Sequence, residues 1–473
     1  MNKAKMFLGS EEVDTKNFIE VKNPFNKKVV SAYPVCFGSD VIRALSLAKE
    51  ASRETKKSPL HQRLAWLEDV AKKLEVQKED FAKTICDEVG KPISLARIEV
   101  DRCIETVKLS IHAMVSIHGE SFDSTVMPSG KKSLSFFKRE PVGVVVAITP
   151  FNFPLNLIAH KIAPALVSGN AVVLKPTSSA PLTAYKFAKL FIESSYAVKD
   201  ALSVVYSGEG VNEALIENRI ARVISFTGSV PVGNHIIRRA GIKKVALELG
   251  GNAATFIDKN ANLKDAAKKC AIGAFSNSGQ VCISLQRIYV HKDIYDEFAS
   301  LLADETKKLV VGNPYDERTF IGPMIDETAV SKALEWIQSA KDEGARVLCG
   351  GENDGLILEP TVMVDVREDM NIVCQEVFAP IVSLVAKDSY EDALKSMNDS
   401  EFGLQYSIFT NNLKMAMKAI DDLEAGGVVI NDIPTLRFDI QPYGGIKNSG
   451  LGKEGPRYAI EEDFTQIKSV VIV

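Results

Sequence analysis

The sequence lacks an apolar run long enough to cross a membrane. Its longest such run, VGVVVAITPF at residues 142–151, has about half of the ~20 residues that a spanning helix needs. The first residues, MNKAKMFLGSEEVD, contain no apolar core of the kind found in secretory signal peptides. We therefore expect a cytoplasmic protein with no membrane partner.

The sequence also has little excess of either charge and few clustered metal-binding groups. Lysine and arginine number 57 against 61 aspartates and glutamates, which gives no reason to expect nucleic acid as a partner. The seven cysteines are scattered, with no C-x-x-C pair and no histidine at ligand spacing, so we expect no metal site. A reducing cytosol disfavours disulfides.

What the sequence does have, after residue 142, is an alternation of short apolar strands and helical segments. The runs VGVVVAITP, AVVLKP, LSVVYSG, RVISFTGS and KVALELGG are rich in β-branched residues and predict strands buried on both faces. Segments of helical period separate them, which is typical of a doubly wound parallel sheet. The alternation continues over residues 261–430, so we expect a second α/β domain.

The flanking segments are interpreted differently. The first third is predicted to be largely helical, with four helices over residues 39–118, followed by an exposed strand in SLSFFKREPVG at 133–143. The tail, residues 461–473, ends in a strand-like run that is too short to form a domain. We expect this run to pair with a sheet elsewhere in the chain or on another subunit.

Several residues with chemical potential follow the predicted strands. Asn152 lies between two prolines, Lys175 and Glu248 end apolar strands, and Gly228 and Ser229 lie where a strand turns into a helix. Ligands bind at the carboxyl ends of strands in such sheets, and a helix N-terminus attracts phosphate. Each signal is weak by itself, and the G-x-G-x-x-G fingerprint of a standard dinucleotide site is absent.

Cys282, in SGQVCISLQR, stands in the most unusual setting of the seven cysteines. Taken alone it is either a buried small side chain or a nucleophile, since free cysteine is among the most buried residue types. The surrounding residues do not decide between these two interpretations.

A set of motifs along nearly the whole chain resembles the aldehyde dehydrogenase superfamily. The motifs are PFNFP, LKPTSSAP, FTGSVPVG, LELGGN, GQVCIS, EVFAP and PYGGIKNSGLGKEG, in this order. The resemblance is strongest to the branch of lactaldehyde, succinate-semialdehyde and non-phosphorylating glyceraldehyde-3-phosphate dehydrogenases. It implies a Rossmann-like cofactor domain (1–119 and 141–247), a catalytic domain (248–430) and a small bridging β-element for oligomerisation (120–140 and 456–473).

The resemblance also implies catalytic roles that fit the chemistry of aldehyde oxidation. Cys282 matches the family's nucleophile, whose thiolate adds to the aldehyde carbon and later leaves the acyl group. Asn152, with the backbone N–H of Cys282, matches the donors that hold the resulting oxyanion. Glu248 matches the base that activates water to hydrolyse the thioester. We expect the surroundings of Cys282, rather than an adjacent histidine, to favour its thiolate.

The cofactor implied by the resemblance is NADP or NAD. The residues that match the family's cofactor contacts are Thr149, Pro150, Lys175, Ser178, Gly208, Gly228, Ser229, Glu376 and Phe378. Many NAD-preferring members have a glutamate at the position of Ser178. A serine there removes repulsion against a 2′-phosphate, which Lys175 can attract, so we expect NADP to be preferred.

Four residues match pocket positions of the family: Arg102, Phe153, His160 and Arg437. Three of them have an ordinary alternative, since Arg102 could be a solvated helix residue, His160 a core histidine and Arg437 a partner of Asp439. Together they predict a small aldehyde with an anionic or hydroxylated tail, because guanidinium groups bind such anions well. Val281 and Phe153 depart from the phosphate-specific branch, which often has arginine and tyrosine there.

The predicted function is therefore NAD(P)-dependent oxidation of a small aldehyde to its carboxylate. Two alternatives are a dehydrogenase that passes the acyl group to coenzyme A, which generally lacks a glutamate at the position of Glu248, and an inactive relative with a binding role. The family implies a homodimer or homotetramer.

Overall fold

The structure is a computed structural model that describes residues 2–473. The strands are β1 (Asn2–Lys3), β2 (Met6–Leu8), β3 (Glu11–Val13), β4 (Phe18–Lys22), β5 (Val29–Pro34), β6 (Glu120–Asp123), β7 (Leu134–Pro141), β8 (Val144–Ile148), β9 (Ala171–Lys175), β10 (Leu202–Val204), β11 (Val223–Thr227), β12 (Lys244–Glu248), β13 (Ala253–Ile257), β14 (Leu285–His291), β15 (Arg346–Cys349), β16 (Asn353–Asp354), β17 (Ile357–Leu358), β18 (Thr361–Val364), β19 (Ile381–Lys387), β20 (Phe402–Gly403), β21 (Gln405–Phe409), β22 (Gly427–Ile430), β23 (Ile446–Lys447), β24 (Gly450–Leu451) and β25 (Thr465–Ile472).

The α-helices are α1 (Gly38–Lys57), α2 (Leu60–Val76), α3 (Lys78–Val89), α4 (Ile93–Ser116), α5 (Asn156–Val167), α6 (Pro181–Ile192), α7 (Val211–Glu217), α8 (Val230–Ala240), α9 (Leu263–Phe275), α10 (Tyr295–Thr306), α11 (Glu327–Asp342), α12 (Asn371–Cys374), α13 (Tyr390–Asn398), α14 (Leu413–Asp422) and α15 (Pro456–Tyr458). Short 3₁₀ turns span Ser276–Gly279 and Lys292–Ile294, and a π-helical turn spans Ala459–Phe464.

The first large sheet has the strand order β24-β12-β11-β8-β9-β10-β2-β3. Strands β12, β11, β8, β9 and β10 are parallel, as the uninterrupted apolar runs predict, and β24 and β2 add antiparallel edges. Val144, Val145 and Val146 are fully or almost fully buried, because helices cover both faces of this sheet. The carboxyl ends of five adjacent strands therefore face one side.

The second large sheet has the order β15-β18-β19-β14-β13-β21-β22. All its neighbouring pairs are parallel except the edge pair β15 with β18. The predicted α/β class with two doubly wound parallel sheets is thus confirmed. No helix within residues 2–473 is both long and apolar enough to cross a membrane.

A small third sheet joins the tail to the middle of the chain, in the order β25-β7-β6. The tail strand β25 pairs antiparallel with β7 over its full length, with Thr465 opposite Pro141 and Ile472 opposite Leu134. The tail therefore finds its partner strand within its own chain.

The structure differs from the prediction at the N-terminus. The first third is not simply helical, because β1 to β5 occupy much of residues 2–34. Each of these strands is short, and several are partly exposed, so they carry little of the alternation that reveals a strand in sequence. The four predicted helices follow them as α1 to α4.

Two of the helices place residues for the site. Helix α3 ends at Gly90, which adopts a left-handed φ of 68° and turns the chain so that Lys91 enters the interior. All residues of α5 are buried, so it is a core helix rather than an amphipathic surface helix. Its polar residues His160 and Lys161 are consequently inside the protein.

Candidate active site

Three distant segments bring Asn152, Glu248 and Cys282 to one cavity of about 550 Å³. Asn152 lies in the loop after β8, and Glu248 ends β12, so both lie at carboxyl ends of parallel strands of the first sheet. Cys282 lies just before β14 of the second sheet. The two sheets together therefore present a thiol, an amide and a carboxyl group to the same space.

The turn before Cys282 has an unusual backbone. Asn277, Ser278 and Gly279 adopt positive φ angles of 51°, 56° and 68° in succession. Non-glycine residues rarely take this conformation, and it is concentrated at functional sites. A Cβ on Gly279 would lie 2.1 Å from the carbonyl oxygen of Ala379, so glycine is required where the turn meets its neighbour. This turn fixes the position of Cys282.

The other predicted site residues fall into two groups. The cavity is also lined by Arg102, Pro150, Phe153, Gly228, Ser229, Glu376, Phe378 and Arg437. Thr149, Lys175, Ser178 and Gly208 lie outside it, at or after the carboxyl ends of β8, β9 and β10, and His160 lines a separate small cavity that also contains Glu248. The functional roles of all these residues stay predictions.

The sulfur of Cys282 lies 2.9 Å from the hydroxyl oxygen of Tyr443. Burial raises the pKa of the Cys282 thiol to about 11, while the Tyr443 hydrogen bond and the charge of Arg437 act in the opposite direction. The thiol is therefore the favoured form in these surroundings. This result differs from the expected thiolate, because an apolar enclosure penalises a negative sulfur more strongly than its neighbours stabilise it.

Asn152 is anchored by a buried ion pair that the sequence does not reveal. Lys91 donates a hydrogen bond of 2.6 Å to the backbone carbonyl oxygen of Asn152 and pairs with Glu99. The other carboxylate oxygen of Glu99 accepts the backbone N–H groups of Leu155 (2.8 Å) and Asn156 (3.2 Å). Removing one member of a buried ion pair typically costs about 3–5 kcal/mol. The pair therefore holds the loop that carries Asn152 in place.

The side chain of Asn152 already uses part of its hydrogen-bonding capacity. Its amide nitrogen donates to the carbonyl oxygen of Gln280 at 3.0 Å, and its oxygen accepts the backbone N–H of Phe153 at 3.1 Å. An amide nitrogen carries two N–H groups, so a second donor remains for an oxyanion in the cavity. Asn152 lines the cavity, so this remaining N–H is a candidate donor to an oxyanion there.

Glu248 is buried, and its Oε2 atom has no hydrogen-bond partner among the described residues. Burial and the nearby charge of Glu454 raise the pKa of Glu248 well above its usual range, against the charges of Lys161 and Arg437. An unpartnered carboxyl group with a raised pKa beside a thiol is typical of a catalytic acid or base.

A small cavity of about 10 Å³ adjoins Glu248 and contains further titratable groups. His160, Lys161, Glu454 and Asp463 line it, and Lys161 lies 3.1 Å from the hydroxyl of Ser225. Its volume is close to what one water molecule requires. Glu248 is thus surrounded by further titratable side chains.

The sequence analysis did not identify Lys161 or Glu454 as site residues. A usable signal existed for Lys161, because a lysine within the apolar segment LNLIAHKIAPALV is unusual unless it faces a partner. Glu454 lies in a glycine-rich loop, and only the folded structure shows that it faces Lys161 and Arg437.

Glu376 lines the same cavity as Cys282 and Asn152. Its Oε1 accepts the backbone N–H of Gly251 at 2.9 Å, and burial raises the pKa of Glu376 to about 7. A Cβ on Gly250 would lie 2.3 Å from Glu376 Oε2, so this contact depends on glycine. The carboxylate keeps lone pairs free to accept hydroxyl groups of a ribose.

Phe378 adopts a left-handed φ of 53° and packs edge-on against Phe151, with ring centroids 6.1 Å apart. A bulky residue in this region of backbone space is a genuine outlier. Core packing alone needs no such backbone, so the conformation favours a binding role for Phe378.

The other predicted cofactor residues form a row along the carboxyl edge of the first sheet. Thr149 donates its N–H to the Lys175 carbonyl oxygen at 3.2 Å, and the Ser178 and Ser207 hydroxyl oxygens are 2.8 Å apart. Ser229 precedes α8 directly and leaves that helix N-terminus open to an anion. A Cβ on Gly208 would lie 1.7 Å from the Cys36 carbonyl oxygen, so packing also explains this glycine.

The pocket residues Arg102, His160 and Arg437 converge on one carboxylate, Asp439. Arg102 makes two hydrogen bonds to Asp439, of 2.8 and 3.1 Å, His160 Nε2 lies at 3.2 Å, and Arg437 Nε lies at 3.1 Å. Arg437 also donates to Glu454 at 2.9 Å. Burial opposes ionisation of Asp439, but the His160 hydrogen bond and the two arginines hold its pKa well below the usual range.

This network partly neutralises the predicted anion pocket. Asp439 and Glu454 offset the charges of Arg102 and Arg437, so the pocket is polar rather than strongly positive. The Arg102 side chain is 28% exposed and lines the cavity, which leaves part of its guanidinium group available to a ligand. Such a surface can bind hydroxyl groups as well as an anion.

The comparison with known proteins decides the family. The model of the aldehyde dehydrogenase family matches residues 11–470. The chain belongs to the aldehyde dehydrogenase family. This confirms the resemblance recognised in the sequence, and it makes the protein an NAD(P)-dependent oxidoreductase that acts on aldehydes.

Individual relatives are similar over nearly their whole length. A 3-sulfolactaldehyde dehydrogenase of Priestia aryabhattai is 42% identical, covering 99% of this chain and 97% of that protein. A structure of aldehyde dehydrogenase 21 from Physcomitrella patens, in complex with the reaction product succinate, is 36% identical with a TM-score of 0.96 over 100% of this chain and 98% of that chain. A glyceraldehyde-3-phosphate dehydrogenase from Methanocaldococcus jannaschii, complexed with NADP, is 37% identical with a TM-score of 0.93 over 97% and 100%.

Proposed function

We propose that this aldehyde dehydrogenase oxidises a small aldehyde with a hydroxylated or anionic tail to the free carboxylate, with NADP preferred over NAD. The observation that carries the proposal is a single cavity in which Cys282, Asn152 and Glu248 face Arg102 and Arg437. The reactive groups and the polar recognition groups are therefore within reach of one small substrate.

In the proposed mechanism the Cys282 thiol first loses its proton to solvent, and the resulting thiolate adds to the aldehyde carbon, which forms a carbon–sulfur bond. The former carbonyl oxygen gains negative charge, which Asn152 Nδ2 and the backbone N–H of Cys282 stabilise as hydrogen-bond donors. A bound NAD(P)⁺ supplies the hydride acceptor, and the residues proposed to hold it are Glu376, Phe378 and the row along the first sheet. Oxidation leaves the acyl group as a thioester on Cys282.

Hydrolysis of that thioester is assigned to Glu248. A water molecule attacks the acyl carbon and gives a proton to Glu248, the carbon–sulfur bond breaks, and its electron pair returns to Cys282. The raised pKa of Glu248 means that it must first lose its own proton, and Lys161, whose pKa is lowered by burial, is the neighbouring group that could accept it. The rate of hydrolysis should therefore increase with pH.

The pocket supports a polar tail on the substrate. Arg102 and Arg437 stand at the cavity with their charges partly balanced, and Phe153 lies beside them, its ring centroid 6.0 Å from the Arg102 guanidinium carbon. The relative from Priestia acts by its name on 3-sulfolactaldehyde, which carries a hydroxyl group and a sulfonate, and the structure from Physcomitrella contains succinate. Similar recognition in this chain would use Arg102 and Arg437.

A panel of aldehydes tests the substrate proposal. Sulfolactaldehyde, succinic semialdehyde, glyceraldehyde 3-phosphate, phosphonoacetaldehyde and lactaldehyde should have higher kcat/KM than acetaldehyde and benzaldehyde. Replacing Arg102 by methionine should lower kcat/KM for the anionic aldehydes about tenfold or more, because a charge-assisted contact is lost. The same variant should change lactaldehyde oxidation much less, which makes lactaldehyde the internal control. Clearly faster oxidation of acetaldehyde or benzaldehyde by the wild type would contradict the proposal.

The NADP preference rests on Ser178, which offers a hydroxyl group where a carboxylate would repel a 2′-phosphate. We expect wild-type kcat/KM to be higher with NADP than with NAD. The Ser178→Glu variant should lose about tenfold or more of its kcat/KM with NADP, whereas Ser178→Gln, of equal size but uncharged, should lose less. A strong NAD preference of the wild type would overturn this part of the proposal.

We also propose how the chain is divided into domains and that its subunits assemble into an oligomer. The strands of the first sheet support a cofactor domain of residues 1–119 and 141–247, those of the second a catalytic domain of 248–430, and the third sheet a bridging element of 120–140 and 456–473. The bridging sheet exposes several apolar side chains, namely Phe122, Leu134, Ile467, Val471 and Ile472. This exposure supports a homodimer or homotetramer. The proposed location of the protein is the cytoplasm.

A further inference from the structure

Tyr443 stands against the candidate nucleophile and has no role in the mechanism described so far. Its hydroxyl oxygen lies 2.9 Å from Cys282 Sγ, and its side chain is buried. Among residues 2–473, the sulfur is the one hydrogen-bond partner found for this hydroxyl. A buried tyrosine hydroxyl normally has a hydrogen-bond partner, and the Cys282 sulfur is that partner here.

The position of Tyr443 is fixed from two sides. Its backbone forms an antiparallel bridge with Glu454, with hydrogen bonds of 2.9 and 2.5 Å in the two directions. The guanidinium carbon of Arg437 lies 3.8 Å from the centroid of its ring. A side chain held in this way loses little conformational freedom when it makes a hydrogen bond, so its hydroxyl is preorganised.

The direction of the hydrogen bond depends on the charge of the sulfur. A thiolate has no proton and can only accept, so Tyr443 must donate to it. Hydrogen bonds to a charged acceptor are about twice as strong as neutral ones, whereas a thiol is a weak partner. Burial raises the pKa of Tyr443 well above its usual range, so its oxygen keeps the proton that it donates.

We propose that Tyr443 is a catalytic residue, whose hydroxyl donates a hydrogen bond to the Cys282 sulfur whenever that sulfur is negatively charged. This inference rests on the proposed role of Cys282 as nucleophile. The sulfur is negative twice in each cycle. It is a thiolate before it forms the bond to the aldehyde carbon, and it becomes one again when that bond breaks during thioester hydrolysis.

The Tyr443 hydroxyl also explains how a negatively charged Cys282 sulfur is stabilised without an adjacent histidine. No histidine lies next to Cys282, and its enclosure favours the thiol. Tyr443 and the charge of Arg437 are the neighbours that oppose this penalty. Without the hydroxyl, the pKa of Cys282 should rise by about one unit, the size expected for loss of a hydrogen bond to a charged group.

The test compares wild type with Tyr443→Phe, which removes the hydroxyl and leaves the ring against Arg437. The rate of alkylation of Cys282 by iodoacetamide is followed by mass spectrometry of its peptide, after brief mixing between about pH 6 and about pH 11. Below the pKa, the variant should react about threefold more slowly, because the smaller thiolate fraction is partly offset by greater nucleophilicity. Near the upper end of this range the wild-type rate should already bend toward its plateau, because its pKa is about 11, whereas the rate of the variant should still rise in proportion to hydroxide.

Aldehyde oxidation provides a second readout. In Tyr443→Phe, kcat/KM at neutral pH should fall about threefold or more, and the rising limb of its pH profile should move to higher pH. Tyr196→Phe, which alters a partly exposed tyrosine outside the cavity, is the matched control and should leave both measurements unchanged.

Two results would overturn the inference. One is an alkylation profile of Tyr443→Phe that coincides with that of the wild type. The other is a loss of rate by the same factor at every pH with no shift of the profile, which indicates a structural effect alone. If the proposed role of Cys282 were wrong, a variant that lacks Cys282 would still oxidise aldehydes. This result distinguishes failure of the proposed function from failure of the inference about Tyr443.

Discussion

Replacing Cys282 by alanine is expected to abolish NAD(P)H formation from every aldehyde while the protein remains folded. The expected loss in kcat is about 10⁴-fold or more, as for nucleophiles of other enzymes that form acyl intermediates. Among the described residues that line the cavity, Cys282 is the one thiol, so no neighbour can replace it. The measurement is absorbance of the reduced cofactor, with circular dichroism to verify the fold.

Cys349→Ala is the matched control for this variant. Cys349 is partly exposed and lies on the edge strand β15 of the second sheet, away from the residues that line the cavity. This variant should keep wild-type activity. Substantial aldehyde oxidation by Cys282→Ala would remove the thiol from the mechanism.

The second large effect is expected for Glu248→Gln. This variant should still oxidise one aldehyde per active site and then stop, because the thioester on Cys282 no longer has a base to activate water. A rapid burst of about one NAD(P)H per subunit should precede a steady state that is about 10²- to 10⁴-fold slower than in the wild type. Stopped-flow absorbance measures both phases.

The pH dependence of turnover gives a further prediction, because the raised pKa of Glu248 sets its direction. Because burial and Glu454 raise the pKa of Glu248, its basic form becomes more abundant as pH increases, and wild-type turnover should rise with it. The slow turnover of Glu248→Gln should lack this dependence. Full steady-state activity in the variant would assign the base to another group.

Coenzyme A distinguishes the remaining chemical alternative. An enzyme that hydrolyses its thioester should form the carboxylate with or without coenzyme A, and product analysis should show no acyl-coenzyme A. If turnover by the wild type required coenzyme A, Glu248 would not be the base that activates water.

Much of the fold could be predicted from sequence because its strands are buried on both faces. Runs such as AVVLK over β9 leave a continuous apolar signal with no alternation, and the helices between them complete the pattern. The short strands of residues 2–34 leave no such signal, since their pairing depends on partners elsewhere in the chain. The pairing of the tail strand β25 with β7 could not be predicted from the sequence either, because it depends on a contact between distant parts of the chain.

Part of the candidate site could also be predicted from the sequence, and part could not. Cys282, Asn152 and Glu248 were identified through motifs, and the structure brings them to one cavity, although their roles await experiment. The buried pair of Lys91 and Glu99 could not be predicted, because its members lie on either side of the start of α4 and only the fold shows that both side chains are buried. Local sequence does not carry such contacts.

The carboxylate of Asp439 shows how contacts change an interpretation. From sequence, Arg102, His160 and Arg437 form a positive pocket. In the structure all three meet Asp439, which was considered only as a neighbour of Arg437. The pocket is therefore a balanced polar network, and hydroxyl recognition becomes as reasonable as anion recognition.

The most direct test of the account is the mass of Glu248→Gln after it is mixed with NADP and an aldehyde substrate. The protein should gain the mass of one acyl group, and fragmentation should assign this mass to the peptide containing Cys282. An unmodified protein that has nevertheless released one equivalent of NADPH, or an acyl group on any other residue, would contradict it.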